Sequence, residues 1–426
     1  MEDSPKHILI LSYFFPPCEL TASRRTESWA KEWSALGHKV TVVTRKWERP
    51  IKSFTDMHYS TSSGTEILDK EGYKVHAASY IANRRDQLLT ENKSKLYRKF
   101  LSIKELMLQP IHLDACPFSN MYSEAKKVCQ NEKVDVIVVS GNPFIQFKFG
   151  YLLNKEFGIP LIIDYRDAWT TSEINRIDKG KMYGLFEKYE RPFEKKWVRS
   201  ASLITASSSS IGKSVEEITG IKSAPIYNGF DEALFKGLDN IEKYPEFTIT
   251  YVGTLYQGQH IEIFIDGFKD FIQNTGTKPK LLFPGLALNK EQHERIKTIL
   301  QGFEDYYEVT ERIPHEEILK IEKRSHLLLH VAWKGYKGII ASKIYEYMGS
   351  GTPVLICPGD DGDIDEIVNS SASGTICNSR EEVAEFLKRA FHARSDSEKT
   401  NPKLSVAQFT RQTQARILAK EIQSLS

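Results

Sequence analysis

Two side chains that could bind a nucleotide lie three residues apart within Gly338 to Leu355, which reads GIIASKIYEYMGSGTPVL. The segment predicts a helix capped by Ser342, because a serine hydroxyl can accept a hydrogen bond from a free N–H of the first turn. Lys343 would then lie at the positive end of the helix dipole, where anions bind favourably. Glu346 follows one turn later and could accept bonds from ribose hydroxyls. An ordinary helix–strand corner with a surface lysine and glutamate would have the same pattern.

A second group of candidate residues follows an apolar run in the first half of the chain. IPLIIDYRDAWT predicts a buried strand that ends at Asp164 and is followed by Arg166 and Asp167. Open α/β sheets place their chemistry at the carboxyl ends of strands, so this cluster could position a hydroxyl acceptor. It could equally be a local salt bridge that holds the loop. Arg24 and Arg25, in the first turn of a predicted helix, could hold an anionic acceptor or be solvated basic residues.

Alternating strand and helix patterns surround both groups. Short apolar runs predict buried parallel strands, and apolar residues at helical spacing predict the helices between them. Periodicity is weak between residues 45 and 120, where we expect a partly helical insertion over the sheet edge. A polar stretch from Asp231 to Tyr244 is typical of a linker, after which the pattern restarts. The predicted strands include His7–Ser12, Lys39–Thr44, Asp135–Ser140 and Ser202–Ser207 in the first half and Phe247–Val252 in the second.

This order of elements predicts an α/β protein with two doubly wound, Rossmann-like domains. We expect the first domain in residues 1–235, completed by a C-terminal helix at 408–426, and the second in residues 245–400. Two such domains facing each other would leave a cleft between their strand ends. Clefts of this kind are common ligand sites.

Composition and motifs exclude several other functions. A net charge of +2 over 426 residues indicates no preference for nucleic acid. The five cysteines form no CxxC pair, which argues against a zinc site and fits a reducing cytosol. The chain lacks GxGxxG, SSSSIGKS lacks the first Walker A glycine, and PGDDGDIDEIV lacks the EF-hand order, so we expect no cofactor and no metal. No apolar run is long enough to span a bilayer.

Five segments suggest a family. In chain order they are SYFFPP with an arginine-led helix, SGNPF with GIPLIIDYRDAW, IYNGFD, YVGTLYQG, and SKIYEYMGSGTPVL. With these segments the chain resembles the GT-B glycosyltransferases, specifically the family 4-like enzymes of bacterial polysaccharide and glycoconjugate assembly, over nearly its whole length. The resemblance implies the GT-B fold and a role in building a surface polysaccharide or related glycoconjugate.

The resemblance also implies an activity and residue roles. A sugar would pass from a nucleotide-sugar donor, with UDP favoured over GDP, to a hydroxyl of a saccharide or lipid-linked acceptor. It implies retention at the anomeric carbon without a catalytic metal, so cations and N–H groups must stabilise the leaving diphosphate. The implied roles are donor binding by Gly253, Thr254, Ile340, Ser342, Lys343 and Glu346, acceptor binding by Phe15, Pro16, Arg24 and Asp164, and catalysis by Asp167, Arg166 and Lys343.

Two departures from the family pattern concern the donor site. Gly338 occupies the position of the first glutamate of the Glu-x7-Glu motif, so the usual carboxylate contact to the donor sugar is missing. Thr254 and Gln257 occupy the positions of the usual arginine and lysine of the phosphate loop. The cations left to compensate are Lys343, Lys334 and Lys337. Two alternatives therefore stay open: a non-catalytic nucleotide-sugar-binding subunit and a nucleotide-sugar 2-epimerase of the same fold.

Membrane contact is a further hypothesis. Basic residues between 93 and 104 alternate with Tyr97, Phe100, Leu101 and Ile103. Such a segment could contact an anionic membrane surface, or it could be a solvated face. We expect a cytoplasmic protein, either free or peripheral to the inner face of the cell membrane.

Overall fold

The computed structural model describes residues 4–51, 53–172, 181–394 and 406–425. The chain divides into two compact units. The N-terminal unit consists of Met1–Tyr227 and Gln414–Ser426, and the C-terminal unit consists of Asn228–Thr413. Within the described ranges, no helix combines the length and the apolar character needed to cross a membrane.

An eight-stranded sheet forms the centre of the N-terminal unit, in the order β3-β4-β2-β1-β5-β6-β7-β8. β3 pairs antiparallel with β4, and the other described pairs are parallel. All six residues of β1 are buried, as the sequence predicts for a parallel strand covered on both faces. The strands are β1 (His7–Ser12), β2 (Lys39–Arg45), β3 (Glu66–Lys70), β4 (Tyr73–Ala78), β5 (Val136–Gly141), β6 (Leu161–Tyr165), β7 (Leu203–Ala206) and β8 (Ser223–Pro225).

Helices cover this sheet and fasten the chain end to it. They are α1 (Thr21–Ala35), α2 (Arg84–Thr90), α3 (Lys95–Leu108), α4 (Asn120–Asn131), α5 (Ile145–Phe157), α6 (Lys181–Val198) and α7 (Ser209–Thr219). Trp29 and Trp33 form the buried stripe of α1 and stack with centroids 5.6 Å apart. The indole N–H of Trp33 donates to the carbonyl oxygen of Ala415 at 2.8 Å. This bond ties the last helix of the chain to the N-terminal unit.

The expectation of an irregular insertion between residues 45 and 120 is wrong in part. α2 and α3 are helical as expected, but β3 and β4 extend the main sheet, with β4 parallel to β2. β4 was hard to recognise because it carries a polar residue at a buried position: the His76 ring nitrogen Nδ1 lies 2.9 Å from Glu124 of α4. A histidine paired with a carboxylate can be buried where the sequence pattern indicates exposure.

A six-stranded sheet forms the centre of the C-terminal unit, in the order β11-β10-β9-β12-β13-β14, and its described pairs are all parallel. Its strands are β9 (Thr248–Thr250), β10 (Lys280–Phe283), β11 (Tyr307–Val309), β12 (Leu327–His330), β13 (Val354–Ile356) and β14 (Gly374–Ile376). Its helices are α8 (Glu262–Thr275), α9 (Lys290–Ile299), α10 (His315–Arg324), α11 (Lys343–Ser350), α12 (Asp363–Ser371) and α13 (Arg380–Ala393), and α14 (Arg411–Gln423) follows.

Candidate functional site

The helix α11 carries the first group of predicted site residues, after the loop that leaves β12. It ends at Gly351, whose φ of +70° lies in the left-handed region that favours glycine. The prediction that Ser342 caps the helix is wrong. Its backbone is already helical, with φ −57° and ψ −27°, and its side chain makes no capping hydrogen bond. A cap residue needs an extended backbone to turn its hydroxyl towards the first turn.

The start of α11 presents backbone donors without a capping side chain. In the described part of the chain, the N–H groups of Ile340 and Ala341, just before the helix, and of Ser342, at its N-cap, donate to no backbone carbonyl. Unbonded N–H groups at a helix start form an anion site together with the helix dipole. Donor binding by Ile340 and Ser342 therefore stays a prediction, and it depends on their main chain.

Lys343 connects α11 to the loop after β9. Its ammonium donates to the carbonyl oxygen of Val252 at 3.0 Å and lies 3.7 Å from the centroid of the Tyr251 ring. The N–H of Val252 donates in turn to the Tyr347 hydroxyl at 2.8 Å. Burial lowers the pKa of Lys343 to about 7, although the nearby Glu322 acts in the opposite direction. Near neutral pH the Lys343 side chain can therefore exist as the neutral amine or as the charged ammonium, and an adjacent anion would favour the ammonium.

The loop after β9 has the open backbone that a phosphate-binding loop needs. Gly253 has φ +85° and donates to the carbonyl oxygen of Pro284 at 3.2 Å, and a Cβ built at this position would meet no atom within 4 Å. Thr254 is exposed, so its hydroxyl is accessible to a ligand. Gly253 thus gives the backbone freedom to approach a diphosphate closely.

Arg295 of α9 holds the rest of this loop, and no sequence pattern predicted this role. Its guanidinium donates to the carbonyl oxygens of Tyr256, Gln257 and Gln259 at 3.3, 3.4 and 2.9 Å. It also forms a bidentate pair with Glu262. A cation is therefore present beside the loop, but its donors are used to shape the loop.

Glu346 has a partner that sequence reasoning missed. Its carboxylate oxygen Oε2 lies 3.1 Å from Nε2 of His315, the first residue of α10. Glu346 is half-buried and lies one turn after Lys343. The histidine orients the carboxylate, and an ionised carboxylate can accept several hydrogen bonds, including one from a ligand hydroxyl.

A buried carboxyl lies behind this pair. Glu322 of α10 is fully buried, and among the described residues neither of its carboxyl oxygens has a hydrogen-bond partner. Burial raises the pKa of Glu322 well above its usual range, Glu346 acts in the same direction, and Lys343 acts against it. The carboxyl therefore favours its neutral, protonated form more strongly than an exposed glutamate does.

Gly338 adopts a turn that a glutamate would strain. Its φ is +82°, and its N–H donates to the Asp363 carboxylate, at the first residue of α12, at 2.8 Å. A carboxylate from α12 therefore reaches the backbone at the position where the family motif has its first glutamate. Lys334 and Lys337, the proposed compensating cations, are exposed.

In the N-terminal unit, Asp164 does not face a ligand. It is fully buried at the end of β6 and accepts four hydrogen bonds, from Nε and Nη2 of Arg25 at 3.1 and 2.7 Å and from the hydroxyls of Ser140 and Thr205 at 2.8 Å each. These bonds occupy the carboxylate, so the assignment of Asp164 to acceptor binding is corrected to a structural role. Arg25 is also buried, with its guanidinium 4.7 Å from the Trp29 ring, and is not a solvated basic residue.

The aromatic residue beside the catalytic candidates is not the predicted one. Phe15 is 1% exposed and packs against Tyr73 in the core, which contradicts its assignment to acceptor binding. Phe14 is half-buried instead, and the guanidinium of Arg166 lies 5.6 Å from its ring. Asp167 is exposed directly after Arg166. Pro16 and Arg24 are both half-buried.

Two further observations concern ligands. Within the described ranges, no group of three His, Cys, Asp or Glu side chains is arranged to hold a metal ion, and metal-independent chemistry stays a prediction. A cavity of about 660 Å³ runs along β10 and β11 of the C-terminal unit. Its lining includes Tyr244, Lys280 and Tyr306 but none of the predicted site residues.

Solved structures of low sequence identity share this architecture. A sucrose-phosphate synthase from Thermosynechococcus elongatus aligns with a TM-score of 0.60 and 13% identity over 99% of each chain. A UDP-forming α,α-trehalose-phosphate synthase from Burkholderia xenovorans gives 0.60 and 11%, also over 99% of each chain. An Anabaena protein in complex with UDP and glucose gives 0.54 and 16%, over 99% of this chain and 100% of that one.

These likenesses define the class of fold. The predicted GT-B fold with two Rossmann-like domains is confirmed. No protein-family model matches the chain, and no curated protein does.

Proposed function

We propose that the protein is a glycosyltransferase that uses a nucleotide-sugar donor. The observation that carries this proposal is the site at the start of α11, where Lys343, three backbone N–H groups and the Gly253 loop lie together. A nucleoside diphosphate needs this combination of a cation, N–H donors and a close backbone. Solved structures of the same fold include a UDP-forming synthase and a protein in complex with UDP and glucose, which favours UDP over GDP.

The chemistry asked of this site is stabilisation of a leaving group. Cleavage of the sugar–phosphate bond moves negative charge onto the nucleoside diphosphate, and donors already in place lower the barrier most. Lys343 and the N–H groups of Ile340 to Ser342 would supply this stabilisation, with no metal required. The Glu346 carboxylate, oriented by His315, would accept hydrogen bonds from the ribose hydroxyls. Retention at the anomeric carbon belongs to the proposal through the family resemblance.

In the N-terminal unit, Arg166 and Asp167 are the residues proposed to act on the acceptor. Asp167 is exposed and could accept a proton from an attacking hydroxyl, and the Arg166 guanidinium lies 3.9 Å from its carboxylate. Asp164 acts indirectly, because it fixes the strand end from which both residues follow. The acceptor class we propose is a saccharide or a lipid-linked saccharide, in surface polysaccharide or glycoconjugate assembly at the cytoplasmic side of a membrane.

One observation favours a second candidate, a non-catalytic nucleotide-sugar-binding subunit. The turn at Gly338 carries no side chain that could contact a donor sugar, and the Asp363 carboxylate is engaged by the Gly338 N–H. Such a protein would bind the donor without turning it over.

Release of nucleoside diphosphate from a panel of UDP- and GDP-sugars, measured with EDTA present, separates these candidates. The enzyme proposal predicts release from at least one UDP-sugar by the wild-type protein. It also predicts that Asp167→Asn loses release and keeps donor binding. Donor binding without release for every sugar, with and without added saccharides, would favour the binding subunit. The absence of both binding and release would reject the donor site itself.

A further inference from the structure

The helix α3 has an apolar face that the rest of the protein leaves uncovered. None of its fourteen residues is buried. Leu96, Phe100, Ile103 and Met107 are 83%, 60%, 38% and 49% exposed. At about 100° per residue these four positions fall within about 60° of one another on the helix surface. They therefore form one continuous strip that points away from the N-terminal unit, which we call the α3 strip.

The opposite face of α3 packs on the protein, with Leu101 and Leu108 half-buried there beside Glu105. Glu105 forms an ion pair with Arg85 of α2 at 3.0 Å and accepts a bond from Gln109 at 2.7 Å. The Tyr189 hydroxyl of α6 donates to the carbonyl oxygen of Met107 at 2.7 Å. The helix is thus held by mixed polar and apolar contacts on its inner face, and it presents a second apolar face outward. A water-exposed helix usually presents polar side chains on its outer face.

Lysines border the α3 strip on both sides. Lys95 and Lys99 follow one edge and Lys104 the other, and all three are exposed. Tyr97 lies beside Lys104 and stacks on Phe100 with centroids 6.2 Å apart. An apolar strip with aromatic residues and a lysine border is complementary to an anionic bilayer surface, because the strip enters the acyl boundary while the ammonium groups meet the phosphates.

We propose that α3 is an interfacial helix that docks the N-terminal unit on an anionic lipid surface. Two further apolar side chains are exposed near the ends of these contacts: Ile111, one turn after α3, and Leu185 on α6, one turn before Tyr189. A protein partner would be expected to offer acidic residues to the lysines and an apolar groove to the strip. A bilayer that contains anionic lipid offers negative charge to the lysines and an apolar interior to the strip along the whole length of the helix. It does so without requiring a matching shape, so it is the occupant we favour. The inference does not depend on the nucleotide site.

Co-sedimentation of the full-length protein with vesicles tests this proposal. The vesicles contain either phosphatidylcholine alone or about one-third phosphatidylglycerol, at about 0.05 and 0.15 M salt. We expect binding to the anionic vesicles that weakens with salt, and little binding to the neutral ones. The double variant Leu96→Ser/Phe100→Ser should bind at least about tenfold more weakly. Lys95→Glu/Lys99→Glu should lose most of the preference for anionic lipid.

Matched controls separate docking by α3 from nonspecific hydrophobic binding to vesicles. Phe54→Ser and Leu288→Ser remove side chains that are 66% and 63% exposed, outside the α3 patch, and should bind vesicles like the wild type. Thermal unfolding checks that each variant is folded. Unchanged vesicle binding by the Leu96/Phe100 variant would overturn the proposal. Failure of the wild-type protein to bind anionic vesicles at low salt would also overturn the proposal. This includes the case in which light scattering shows that the α3 strip drives self-association instead.

Discussion

Replacing Lys343 by methionine tests whether its ammonium is the cation that binds the donor diphosphate. Methionine keeps most of the side-chain volume over Tyr251 and removes the charge. A hydrogen bond to a charged group contributes about 1.5–3 kcal/mol, so the variant should bind a UDP-sugar about 10- to 150-fold more weakly where the wild-type lysine is already protonated.

The size of this loss should depend on pH. Because the pKa of Lys343 in the free protein is about 7, protonating it at about pH 8.5 costs roughly 2 kcal/mol before the diphosphate can use the charge. The difference in affinity between wild type and variant should therefore be large near about pH 6.5 and should shrink by roughly 1.4 kcal/mol for each further pH unit above about 7. Binding above about pH 7 should also take up protons from the buffer.

Calorimetry with a UDP-sugar is the suitable assay, because a diphosphate esterified at both ends does not titrate in this range. Titrations in two buffers of different ionisation enthalpy measure the proton uptake directly. Lys388→Met, on the exposed face of α13, is the matched control and should bind like the wild type. An affinity difference that stays constant from about pH 6 to 9 would refute the role of the lysine proton. Equal affinity of Lys343→Met and wild type at low pH would refute the site.

Three further predictions concern stability and the loop. Asp164→Asn should destabilise the N-terminal unit by about 3–5 kcal/mol in urea unfolding, because Arg25 stays buried without its counter-charge, whereas the exposed Asp167→Asn should change stability by less than about 0.5 kcal/mol; equal losses would contradict the assigned roles. Glu322→Met should leave the free energy of unfolding unchanged or raise it. The difference in free energy of unfolding between variant and wild type should grow as pH rises above 4.5, because Glu322 ionises there in the unfolded chain but resists ionisation in the folded protein. A difference that becomes smaller as pH rises would contradict this. Gly253 and Gly276 have φ of +85° and +65° and open space for a Cβ. Gly253→Ala and Gly276→Ala should each lower the free energy of unfolding by about 1 kcal/mol, but only Gly253→Ala should weaken nucleotide binding.

Local patterns predicted much of the fold. β1 matches its predicted bounds because the apolar run from Ile8 to Leu11 is too short for a typical helix and is bounded by the polar residues His7 and Ser12. α11 and β13 also follow their predicted order, since Gly351 adopts the left-handed conformation that ends a helix. β4 was missed because its buried His76 depends on Glu124, which lies 48 residues away in sequence.

The site was harder to predict, because its side chains are chosen by contacts distant in sequence. The pairing of Arg25 with Asp164 spans 139 residues, and no spacing rule indicates it. Likewise, Glu346 meets His315 across 31 residues and Arg295 reaches the loop near Gln259 across 36. Phe15 was assigned to acceptor binding for a different reason: after a strand ends, alternation no longer determines which of Phe14 and Phe15 enters the core.

A calorimetric titration of the full-length protein with UDP and with GDP, in metal-free buffer containing EDTA, tests the central claim most directly. The donor-site account predicts that UDP binds, that it binds more tightly than GDP, and that Lys343→Met and Glu346→Ala each weaken this binding while the fold stays intact. Absence of binding by both nucleotides, or UDP binding that survives both substitutions, would contradict it.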